Sequence, residues 1–89
     1  MKAFEIKVSG IVQGVAFRHF TKLESDRLGV SGTVQNYSDG TVHIYIVGAE
    51  ENLMKLIEWC HSGPGSATVE SLEYKEVMPK EHNSFEIIR

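Results

Sequence analysis

Within 89 residues the spacing of apolar side chains switches from alternating to helical and back twice, and this order constrains the fold more than any other property of the chain. Phe4, Ile6 and Val8 alternate with Glu5, Lys7 and Ser9, the period-two pattern of a half-buried strand. After Gly10 the alternation breaks. Phe17, Phe20, Thr21 and Leu28 then share one helical stripe, with Leu23 off it, and Gly29 suits a left-handed stop. A second strand is expected from Val30 to Tyr37, a turn at Ser38, Asp39 and Gly40, and a third strand from Thr41 to Val47, together a hairpin. Leu53, Leu56, Ile57 and Cys60 recur at helical spacing. Glu50 and Glu51 favour the start of that helix through its dipole, and Gly63 with Pro64 ends it. Thr68 to Val77 and Phe85 to Ile88 read as a fourth strand and a short fifth one.

This order predicts an α+β fold, the ferredoxin-like (βαββαβ) sandwich with a short extra C-terminal strand. Two helices should cover one face of a mostly antiparallel sheet through right-handed crossovers. No repeat, low-complexity tract or linker interrupts the chain, so residues 1–89 are expected to form a single domain. A hydrophobic content of 42% is enough for a core without staples, and the lone Cys60 cannot form an internal disulfide. The absence of a long apolar run argues against a signal peptide or membrane span, so a cytoplasmic protein is expected. Nine basic against twelve acidic side chains give a net charge of −3, which speaks against a nucleic-acid binder. An anionic ligand would have to be held locally.

The segment Gly10-Ile-Val-Gln-Gly-Val-Ala-Phe-Arg18 offers such a place. It joins the first strand to the first helix and is apolar except for Gln13 and Arg18. Backbone amides ahead of a helix have no intrahelical partner and carry partial positive charge, so a loop curling in front of them forms an anion-binding concavity. Gly14 supplies the positive φ or close approach that the curl needs. Arg18 adds a planar fork of donors, although a cation in a first helical turn opposes the helix dipole and has no evident structural purpose there. The first two strands of a β-α-β unit run parallel, so the second should end near this loop. Val30, Gly32, Val34 and Asn36 share one face by period two, which carries Asn36 toward the loop. Asn36 could equally start the hairpin turn.

These residues resemble a known signature. Gly10 to Arg18, Gly32-Thr-Val-Gln-Asn36, Asp39-Gly40-Thr41-Val42, Gly63-Pro64-Gly-Ser-Ala67-Thr-Val69 and the closing Phe85-Glu-Ile-Ile-Arg together are similar to the acylphosphatase family across nearly the whole chain. The resemblance implies a small hydrolase that needs neither metal nor cofactor and cleaves acyl phosphates to a carboxylate and inorganic phosphate, the latter also a competing ligand. It implies that Arg18 and Asn36 are catalytic, Arg18 binding phosphate and Asn36 holding the attacking water. The amides of Gln13, Gly14, Val15, Ala16, Phe17 and Arg18 would cradle the phosphate. Ala16 departs from the pattern where glycine or a large aromatic is expected, and Gly65 stands where a second proline is common.

Other features carry less chemistry. His19, His43, His61 and His82 lack metal-ligand spacing, Cys60 reads as a small core residue, and His19 as a surface residue. His43 and Tyr45 are expected on the open sheet face, but the first strand adds only Glu5, Lys7 and Ser9 there, too few aromatics for an RNA platform. The expected protein is a monomer acting on a small molecule, with no nucleic-acid or membrane partner. A non-catalytic module that holds phosphate or carboxylate in the same loop is the rival. It would have no need of Asn36.

Overall fold

A computed structural model describes residues 1–89 as seven elements in the expected order. They are β1 (Lys2–Ile11), α1 (Phe17–Leu28), β2 (Ser31–Asn36), β3 (Val42–Gly48), α2 (Glu50–Cys60), β4 (Thr68–Val77) and β5 (Phe85–Ile88). The five strands form one sheet in the order β4-β1-β3-β2-β5. β3 runs antiparallel to both β1 and β2, so those two strands are parallel to each other and their ends meet at the same sheet edge. β5 adds to the outside of β2 in parallel, which makes the sheet mixed but largely antiparallel.

Period two decides which face is covered. Phe4, Ile6 and Val8 of β1, Val34 of β2, and Val42, Ile44 and Ile46 of β3 are buried and meet Leu53, Leu56, Ile57 and Cys60 of α2 in one core. Each such aliphatic or aromatic side chain contributes about 1.5–3 kcal/mol when fully buried. Cys60 belongs to this core, and burial pushes its thiol up to about 12, which leaves it unreactive at neutral pH.

Beyond one-residue shifts at the ends of β2 and β3, two features differ from the sequence reading. β1 runs on to Ile11 instead of stopping after Gly10, pairing with β4 beyond a register shift between Ser9 and Gly10. The alternation continues through this stretch but is hidden. Gly10 has no side chain, and Ile11 puts an apolar one on the exposed side at 58% exposure, while Val12 returns to the core at 1%. On α1 the buried stripe is Phe17, Thr21 and Ser25, and Phe20 is 41% exposed. At 100° per residue Phe20 lies on the far side of Phe17 from Thr21 and Ser25, so it falls at the rim of the stripe.

Candidate active site

Phe17 fixes where the first helix begins. Its ring is 1% exposed and tilts against Trp59 of α2 with centroids 5.7 Å apart. Gly63, just past α2, has φ 64°, and a Cβ there would stand 2.5 Å from the Phe17 ring, so no other residue fits without moving the anchor. Arg18 follows directly and is half-buried.

The loop from Val12 to Ala16 turns between β1 and this anchor. Val12 reaches into the core and Val15 packs against it, so the apolar loop residues fasten the loop as well as shaping its backbone. Gly14 has φ 74°, and a Cβ there would meet nothing within 4 Å, so glycine answers a conformational need rather than a close approach. Ala16, the residue before the helix, sits at φ 60° and ψ 25° and is the only non-glycine residue with positive φ. That conformation costs an L-residue about 1–2 kcal/mol, which accounts for the expectation of glycine at this place. Ala16 has no capping side chain, and no acidic residue occupies the first turn. No amide from Gln13 to His19 donates to a backbone carbonyl, and the first backbone bond of the helix runs from Phe20 N–H to the Ala16 carbonyl. A run of free N–H groups at a helix start is a positive electrostatic feature.

Gln13 has a role that sequence reasoning missed. Its side-chain Nε2 donates to the carbonyls of Tyr37, at 2.7 Å, and Thr41, at 2.9 Å. This amide ties the loop to the β2–β3 turn just beyond Asn36. The turn itself is closed by Asp39, whose carboxylate accepts from the Thr41 hydroxyl at 2.6 Å and the Thr41 N–H at 3.0 Å. Those two bonds, the hydroxyl's first, hold the Asp39 carboxyl below its usual range. Ser66 fastens the far side by donating to the Val15 carbonyl at 3.2 Å.

A cleft of about 150 Å³ opens between these parts. Gly14, Ala16, Phe17 and Arg18 line it from the loop and helix start, Asn36 from the end of β2, and Ile87 and Arg89 from the end of the chain. Val12 and the exposed His19 complete the lining, whereas Gln13 and Val15 lie outside it. Asn36 Oδ1 is buried and has no hydrogen-bond partner, an arrangement that costs about 1–3 kcal/mol unless a water or ligand supplies a donor. No carboxylate side chain lines the cleft, and neither Arg18 nor Arg89 takes part in an ion pair. The side chains that line the cleft therefore carry net positive charge in a protein whose net charge is −3.

Elsewhere the surface is differently built. A larger hollow of about 470 Å³ lies on the uncovered face of the sheet, where His43 stacks on Tyr37 with centroids 3.6 Å apart and Tyr45 and Tyr74 stand nearby. Its charges are mixed, Glu5 and Glu73 beside Lys7 and Lys75, so it lacks the single-sign field of the cleft. No three His, Cys, Asp or Glu side chains come together as a metal site would require, and no helix is long and apolar enough to cross a membrane.

Comparison with known proteins finds relatives over nearly the whole chain. The family model described as acylphosphatase matches residues 4–87. Curated acylphosphatases from Archaeoglobus fulgidus and Thermotoga maritima are 47% and 41% identical over 87 residues, covering 98% of this chain and 98% and 97% of theirs. The crystal structure of acylphosphatase from Bacillus subtilis superposes with a TM-score of 0.96 at 34% identity, covering 100% of both chains.

Proposed function

Because this chain belongs to the acylphosphatase family, and is thus an enzyme that hydrolyses acyl phosphates, we propose that the cleft between Arg18 and Asn36 is where the reaction takes place. The phosphoryl group sits against free amides of the 13–18 segment, those of Gly14, Ala16, Phe17 and Arg18 that line the cleft, and the Arg18 guanidinium, with Asn36 holding the water that attacks it. The observation that carries this reading is the buried, unpartnered Asn36 Oδ1 in the same cleft as Arg18. A hairpin-starting asparagine would spend its side chain on the turn. Here Asp39 closes the turn and Asn36 Oδ1 is left free.

The chemistry asks for little else. An acyl phosphate has a good leaving group, so the barrier lies mainly in charge and position around phosphorus. The Asn36 side-chain amide hydrogen-bonds the water and aims its oxygen at phosphorus. As that oxygen bonds, the bond from phosphorus to the acyl oxygen breaks and the carboxylate leaves with the electron pair. The water's proton passes to a phosphoryl oxygen, so no side chain serves as general base. Fixed amides and Arg18 meet the phosphoryl charge without reorganising, the condition under which such groups lower a barrier most. The same proposal holds that residues 1–89 work as one domain and a monomer in the cytoplasm, with no metal or cofactor.

Inorganic phosphate should bind the folded cleft and raise the melting temperature. At a hundredfold excess over its Kd the stabilisation is about 2.7 kcal/mol, which for a domain of this size is a shift of roughly 10 °C or more. Differential scanning fluorimetry across a phosphate series, with chloride at matched ionic strength as control, measures it. A melting temperature indifferent to phosphate contradicts an anion site.

A further inference from the structure

Arg89 stands in the cleft for a reason that Arg18 does not exhaust. β5 pairs with β2 in parallel, Gly32 level with Phe85 and Gln35 with Ile88, and one further step places Arg89 beside Asn36. Phe85 is buried and Ile87 packs against the core, so by period two Arg89 continues the face that carries Asn36 on the neighbouring strand. β5 is held in this register from both sides. The Gly32 N–H donates to the Ser84 carbonyl at 3.0 Å, and Lys22 Nζ donates from α1 to the Phe85 carbonyl, also at 3.0 Å. The result is a second arginine, exposed to solvent, at a cleft that no carboxylate side chain enters, with neither arginine in an ion pair.

One phosphoryl group is already matched by Arg18 and the free amides. Resting on that reading of the site, we propose that Arg89 determines specificity, recognising a second anionic group on the acyl part of the substrate. The preferred substrates are then acyl phosphates whose acyl chain ends in a carboxylate. A guanidinium suits this task, because its two parallel donors match the two oxygens of a carboxylate and its charge does not depend on pH.

The test compares acetyl phosphate with succinyl monophosphate, the mixed anhydride of succinate and phosphate, in the wild type, Arg89→Gln and Arg89→Lys. The wild type should show the higher kcat/KM for the succinyl compound, and the ratio between the two substrates should fall about tenfold in Arg89→Gln. Arg89→Lys should keep part of the ratio, and rising salt should erode it in the lysine variant and the wild type. A ratio unchanged in Arg89→Gln while both compounds are hydrolysed overturns the role of Arg89 alone. If the wild type hydrolyses neither compound, the reading of the site on which it rests fails as well.

Discussion

Arg18→Ala is expected to leave the fold intact and to slow hydrolysis of acetyl phosphate on the order of a hundredfold or more, the usual scale for losing one preorganised charge-stabilising donor. The fold should survive because Arg18 is half-buried, makes no ion pair and follows Phe17, which does the anchoring. Arg18→Lys should recover little of the rate, since an ammonium is a point charge and cannot present two parallel donors to a phosphoryl group. Steady-state kinetics of both variants, with circular dichroism to confirm folding, decides the matter. Nearly full activity in the lysine variant would rule out the bidentate role.

Asn36 separates a hydrolase from a phosphate-binding module. In Asn36→Ala, kcat should drop while the affinity for inorganic phosphate changes little, because on our proposal the amide holds water and not the phosphoryl group. Asn36→Asp keeps the shape but sets a carboxylate near the bound dianion. At about 5 Å and an effective dielectric near 20, each like-charge unit costs about 3 kcal/mol, so phosphate affinity should fall along with the rate. Calorimetry of phosphate binding beside turnover measures both quantities. Wild-type turnover in Asn36→Ala would return Asn36 to the hairpin and take the water from its care.

The two residues to which we assign the reaction could be singled out from the sequence because each violates a local rule. Arg18 opposes the helix dipole, and Asn36 sits on the otherwise apolar inward face of its strand. The order of elements was legible as well, since two helices with apolar stripes among alternating strands leave few arrangements. What the sequence concealed depends on contacts between distant segments. Gln13 looked like one more loop amide, yet its side chain braces the turn 24 and 28 residues away. Arg89 enters the cleft only because β5 lies parallel to β2, and nothing in Phe85 to Ile88 fixes that partner or direction. Ile11 and Phe20 misled in the same way. Each is an apolar residue left at the surface, which is ordinary in proteins and carries no mark in the sequence.

The central claim is that fixed amides, one arginine and one water-holding asparagine suffice for hydrolysis. The most direct measurement is release of inorganic phosphate from acetyl phosphate by the purified chain, with and without a strong chelator of divalent ions. The account predicts the same rate in both conditions, because the cleft offers a guanidinium and backbone donors for the phosphoryl charge and gathers no set of metal-binding side chains. Loss of activity with the chelator, restored by adding a divalent cation, would contradict it.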